Sequence, residues 1–188
     1  MTNDELVSKY DAIFDILENY LKSLPDSENP DILDLNAGTG DMWEHLVHGR
    51  RDLLENMKQV KEITLAEAFN KYHNMLNKRA ELVENYVPCR MSRLEPIAIN
   101  TARDVVIGIG LLNFYPMLEA SKLLTHLLRI TKKFMILEFD FSCSISSAVP
   151  GIYNPSIDFV YNMLYGQTSK IEIVITNRYN SVWKIWRK

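Results

Sequence analysis

Asp31-Ile32-Leu33-Asp34-Leu35-Asn36-Ala37-Gly38-Thr39-Gly40 is the stretch that decides the fold. Ile32, Leu33 and Leu35 form a short apolar run just after a loop bounded by Pro25 and Pro30, which predicts a buried strand. The run stops at a turn holding two glycines. Met42, Trp43, Leu46 and Val47 then recur at helical spacing and predict a helix over 41–47. Strand, glycine turn and helix in succession let a backbone approach a bound ligand closely. Gly38 and Gly40 remove the Cβ atoms that would stand in the way.

Working outward, Thr2 and Glu5 have the spacing of a capping box. Leu6, Tyr10, Ile13, Phe14, Leu17, Tyr20 and Leu21 follow as one face of an amphipathic helix. Beyond the organising stretch, a break at 48–51 precedes a second helical pattern over 52–61. A strand at 63–66 carries Glu67 at its carboxyl end, and Tyr72, Met75, Leu76 and Ala80 mark the next helix. The segment 87–91 predicts a short third strand, with Pro88 restricting it to an edge or a strand start.

Asp104-Val105-Val106-Ile107-Gly108-Ile109-Gly110 is a continuous apolar run of the kind found in parallel strands covered on both faces. Gly108 and Gly110 again permit close backbone approach at a strand's carboxyl end. A crossover helix over 118–130, a strand over 134–139, a polar loop at 142–151 and a helix over 157–164 come next. Strands at 171–176 and 182–186, joined by a turn at 178–181, form a terminal hairpin. The alternation predicts an α/β fold: a three-layer Rossmann-like sheet, mostly parallel, with an antiparallel C-terminal hairpin and helices on both faces. The 188 residues suit one domain, with residues 1–24 as an N-terminal helix packed on its core.

The formal charge of −3 gives no support to broad attraction to nucleic acid or anionic membrane. Arg50-Arg51, Lys132-Lys133 and the C-terminal Lys184, Arg187 and Lys188 read as solvated surface. Two distant cysteines, Cys89 and Cys143, suggest a reducing compartment rather than a disulfide scaffold. The acidic start lacks a signal-peptide pattern, and no apolar run reaches membrane-spanning length. The expectation is a soluble, intracellular, cytoplasmic protein without membrane association. His45, His48, His73 and His126 lie in predicted helices or at a helix end without metal-ligand spacing, so they read as structural and no metal is expected.

Leu33-Asp34-Leu35-Asn36-Ala37-Gly38-Thr39-Gly40 resembles the first motif of class I S-adenosylmethionine-dependent methyltransferases, an acidic residue followed by Gly-x-Gly-x-Gly. The departure is Asn36, at the first glycine position; Asn is the non-glycine residue that best tolerates positive φ. Glu67-Ala68-Phe69-Asn70 with Asn74-Met75-Leu76 resembles the second motif, which implies that Glu67 binds the ribose hydroxyls. In that family an Asp often follows the third strand to bind the adenine amino group. Here the stretch is Met91-Ser92-Arg93-Leu94-Glu95, with Ser92 or a backbone amide left for the role. Lys9-Tyr10-Asp11-Ala12-Ile13 resembles a frequent opening in which the tyrosine nears the cofactor carboxylate.

The resemblance thus implies S-adenosylmethionine held by Tyr10, Asp34, Asn36, Ala37, Gly38, Gly40, Glu67, Ala68, Ser92, Gly108 and Gly110. Asn113, Phe114 and Tyr115 face the region of the methyl acceptor, but Asn113-Phe114-Tyr115-Pro116 is not the Asn-Pro-Pro-Tyr box of amino-group methyltransferases. The implied activity is methyl transfer, which needs positioning rather than a fixed catalytic triad. The acceptor, whether small molecule, protein or RNA, stays open. So does the alternative of a methyltransferase-like module without catalysis, and so does recognition through a partner subunit or a second copy. A nicotinamide enzyme is disfavoured because Gly-x-Gly-x-x-Gly is absent.

Overall fold

The computed structural model describes residues 3–140, 156–175 and 180–188. In chain order the elements are α1 (Asn3–Ser23), β1 (Asp31–Leu35), α2 (Asp41–Gly49), α3 (Arg51–Met57), β2 (Glu62–Ala66), α4 (Asn70–Glu84) and β3 (Cys89–Ser92). Then come β4 (Arg103–Ile109), α5 (Met117–Ile130), β5 (Thr131–Asp140), α6 (Ile157–Leu164), β6 (Thr168–Ile175) and β7 (Asn180–Arg187). The strands form one sheet in the order β3-β2-β1-β4-β5-β7-β6. β1 to β5 run parallel, and β7 lies antiparallel between β5 and β6. The expected α/β sheet with its antiparallel hairpin is therefore present. The polar loop at 142–151, positions 178 and 179 of the turn at 178–181 and the side chains of the capping pair lie outside the described residues.

Strand alternation splits the core into two layers. Ile32, Val105, Ile107, Phe134 and Ile136 point to one face, under α1 to α4. Leu33, Leu35, Val106, Met135 and Leu137 point to the other, against α5 and α6. Continuous apolar strands follow from coverage on both faces. No helix among the described residues is long and apolar enough to cross a membrane.

The register of β1 against β4 is fixed at their amino ends. The Asp31 N–H donates to Asp104 Oδ2 (3.0 Å) and the Asp104 N–H to Asp31 Oδ1 (2.8 Å). Lys132 lies 3.8 and 3.7 Å from the two carboxylates. This clamp sets Leu35 beside Gly108, so the turns that leave the two strands emerge together. Here the strand order reverses, and in open α/β sheets the crevice at such a reversal is where ligands bind.

β3 leads into β4 through a single 3₁₀ turn, Pro96–Ala98, with Pro96 fixing its first position. Two details depart from the sequence expectation. β5 starts at Thr131 directly after α5, where the Thr131 hydroxyl donates to Leu127 O (2.7 Å). Arg50 is not a solvated residue. It reaches Asp11 (3.3 Å), Asp15 (2.7 Å) and Glu18 (3.0 Å), tying α1 to the α2–α3 junction.

Candidate functional site

The turn after β1 is held from several sides. Asn36 takes φ 61°, the only positive φ at a non-glycine among the described residues, and its Nδ2 lies 3.4 Å from Ile109 O. The position therefore demands the left-handed conformation, as the motif implies, and Asn36 supplies it. Ala37 N–H donates to Ala66 O (3.1 Å), joining the turn to the end of β2. Gly38 N–H donates to Glu67 Oε2 (2.8 Å), and Phe69 N–H donates to Glu67 Oε1 (2.8 Å). The Glu67 carboxylate, almost fully buried, thus bridges the two turns that follow β1 and β2.

Asp34 sits in β1 on the same face as Ile32, under α1 and α2. Trp43 Nε1 donates to its Oδ2 (2.7 Å), while Oδ1 is buried without a partner. Burial pushes the Asp34 pKa from 3.8 up to about 7; the Glu67 charge adds to the rise and the Trp43 hydrogen bond opposes it. A buried polar atom left without a partner costs free energy, so this one marks a place for a donor.

These groups open on one cavity of about 310 Å³. Tyr10, Asp34, Asn36, Ala37, Gly38 and Glu67 form its polar wall, and Phe69, Tyr72 and Phe114 contribute rings. Gly38 has φ +59°, and a Cβ built there would meet nothing within 4 Å, so open space adjoins this backbone. The Tyr10 pKa is pushed up to about 12 by burial and by the charges of Asp41, Asp34 and Glu138. Its hydroxyl is protonated at neutral pH and available as a donor.

Seven of the sequence-assigned residues do not line this cavity: Gly40, Ala68, Ser92, Gly108, Gly110, Asn113 and Tyr115. Two of the glycines sit where neighbouring side chains leave no room for a Cβ. A Cβ at Gly40 (φ +84°) would come 3.0 Å from Leu76 Cδ1 and 3.3 Å from Arg79 Cβ, so Gly40 lets α4 approach α2. A Cβ at Gly108 would come 3.0 Å from Leu111 and 3.1 Å from Leu137. Gly110 turns the chain at φ +56° and donates its N–H to Glu138 Oε2 (2.9 Å). Ser92 acts through its carbonyl, which accepts from Glu67 N–H (3.0 Å). Asn113 is buried and Tyr115 packs against the α5 layer, leaving Phe114 as the cavity residue of that trio.

Several supporting residues escape a sequence reading. Arg79 of α4 donates to Thr39 O (2.8 Å) and pairs with Asp41 (2.6 Å) and Glu44 (2.5 Å), bracing the turn and the start of α2. The only signal was its place on the inner stripe of α4 beside Leu76, Ala80 and Val83. Lys9, buried next to Tyr10, stands 3.6 Å from Glu138, which also accepts from Asn180 Nδ2 (3.0 Å). His73 is structural, its Nε2 2.8 Å from Glu67 O. A larger groove of about 700 Å³ lies between α1 and β6 and contains none of the assigned residues.

This is the class I methyltransferase fold. Among solved structures, magnesium protoporphyrin IX methyltransferase from Synechocystis PCC 6803 with bound SAM is 18% identical at a TM-score of 0.69, covering 100% of this chain and 86% of that one. The same enzyme with bound SAH gives 16% identity and a TM-score of 0.72 over 98% and 84% of the two chains. The N-methyltransferase NodS from Bradyrhizobium japonicum WM9 is 8% identical at a TM-score of 0.66, over 95% and 97%. Neither a scan against protein-family models nor a search of curated proteins finds a match.

Proposed function

We infer that the chain binds S-adenosylmethionine in the 310 Å³ cavity and transfers its methyl group to an acceptor. The observation that carries this reading is the buried, unpartnered Oδ1 of Asp34 on the wall of the same cavity as Gly38. A cofactor with an ammonium and a sulfonium group suits a wall bearing Asp34, Asp41 and Glu67 against a single cation, Lys71. A dinucleotide, with its anionic pyrophosphate, would meet the same carboxylates unfavourably. The neighbours crystallised with SAM and SAH support the same cofactor.

Bound there, S-adenosylmethionine supplies an electrophilic methyl group for displacement by a nucleophile. Asp34 Oδ1, buried without a partner, would accept from the cofactor's ammonium group. Each Glu67 oxygen, already holding one backbone amide, keeps a second lone pair for a ribose hydroxyl. Tyr10 would donate its phenolic hydrogen to the cofactor's carboxylate. Phe69, Tyr72 and Phe114 offer ring surfaces that limit water at the mouth. Asn36 adopts the left-handed geometry that the turn requires, which supports the cofactor-binding reading.

Asp34 gives the site a pH signature. Its pKa is higher in the fold than in the unfolded chain, so the folded state binds the extra proton. Its contribution to stability is fully present below about pH 4 and is lost as pH rises through about 7. Ligand-free protein should lose stability across that window, and Asp34→Asn should flatten the loss in denaturation curves. Affinity for S-adenosylmethionine should move the opposite way, falling by up to about tenfold per pH unit below 7 as the ionised Asp34 is depleted. A pH-independent affinity between pH 5 and 8 would remove Asp34 from the site. Calorimetric titration with the cofactor, its demethylated product and NADH tests the reading as a whole.

A further inference from the structure

We propose that two copies of this chain associate through the outer edges of β6, antiparallel and centred on Ile171. β6 ends the sheet and pairs only with β7 among the described residues. It is eight residues long, Thr168-Ser169-Lys170-Ile171-Glu172-Ile173-Val174-Ile175, without proline or glycine to blunt it. Ile173 is 49% and Val174 41% exposed, and as successive residues they lie on opposite faces. Grooves flank both faces: one of about 450 Å³ lined by Tyr161, Tyr165 and Ile173, the other lined by Ile16 of α1 and Val174. The register shifts between Thr168 and Lys170, and from Lys170 to Ile175 the ladder with β7 is regular, so this edge with its exposed Ile173 and Val174 is a ready template for another strand.

The charges on β6 select the occupant. A two-fold axis perpendicular to the sheet opposes residues of the same face, so each register is centred on one residue. Centring on Lys170 sets two lysines against each other, and centring on Glu172 sets two glutamates together. Centring on Ile173 opposes Glu172 to Val174. Centring on Ile171 opposes Lys170 of each copy to Glu172 of the other, twice. Within one chain Lys170 and Glu172 already form an ion pair, so both point to the same face. Doubling that pair across the axis gives an alternating ring of four charges, with Ile171 against Ile171 on the opposite face. Cross-strand pairs of opposite charge stabilise a sheet, and like charges directly opposed destabilise it. The strand is complementary to itself in this register.

Sedimentation equilibrium on the full chain tests this proposal, which is independent of the cofactor reading. The wild type should dimerise reversibly. Lys170→Glu and Glu172→Lys should each raise the dimer dissociation constant by at least about tenfold, since both opposed pairs become like-charged. An equimolar mixture of the two variants should recover association as a heterodimer, because the doubly acidic strand of one variant then opposes the doubly basic strand of the other. Repair in the mixture cannot arise from the pair within each chain. A wild type that stays monomeric at several hundred micromolar overturns the proposal. So do single variants that dimerise as wild type, or a mixture that associates no better than its components.

Discussion

Glu67→Ala is expected to lower stability by about 2–4 kcal/mol and to weaken S-adenosylmethionine binding by at least about tenfold. Both effects follow from one carboxylate. Its oxygens accept from Gly38 N–H and Phe69 N–H at 2.8 Å each, and the substitution leaves two partly buried amides unpaired. Bonds from amides to a charged acceptor stand at the upper end of hydrogen-bond contributions. The turn after β1 then loses its link to the turn after β2, and the cavity loses an acidic wall residue. Asp34 loses a neighbouring negative charge, so its raised pKa should come down. Glu67→Gln, which keeps one acceptor oxygen, should recover part of the stability. Chemical denaturation with calorimetric titration reads both quantities. Unchanged values in Glu67→Ala would return this residue to an ordinary strand end.

Gly38→Val and Gly40→Val should fail in different ways. At Gly38 the positive φ costs a valine roughly 1–2 kcal/mol, but nothing lies within 4 Å of the new Cβ. That protein should fold and lose affinity for S-adenosylmethionine by about a hundredfold or more, because the side chain occupies space on the cavity wall. At Gly40 the same strain is joined by contacts of 3.0 Å with Leu76 and 3.3 Å with Arg79, which push α2 from α4. A loss of about 3 kcal/mol or more in stability is expected there, with reduced binding as its consequence. If Gly38→Val binds the cofactor normally, the open space beside Gly38 is not the cofactor's.

The parts of this fold legible in the sequence are those set by local periodicity. The apolar run of β1, its glycine turn and the amphipathic α2 are contiguous, so each announces the next. The β6–β7 hairpin was legible because its two runs lie close together. What sequence could not supply were contacts between distant residues. Trp43 caps Asp34 from nine residues away, Arg79 reaches back to Thr39, and Lys9 meets Glu138 across most of the chain. The packing roles of Gly40 and Gly108 were hidden for a related reason. A glycine that admits a ligand and one that admits a helix or a leucine look alike in sequence, and only their neighbours tell them apart. The sequence places Glu67 at the end of β2, but its hold on two backbone amides depends on how the turns meet in space.

Calorimetric titration of the wild-type chain at pH 8, where Asp34 is ionised, addresses the central claim most directly. S-adenosylmethionine and its demethylated product should each bind with one-site stoichiometry, NADH should give no saturable heat, and Gly38→Val should abolish the cofactor signal. Saturable binding of NADH, or no heat with S-adenosylmethionine from a folded wild type, would contradict the account.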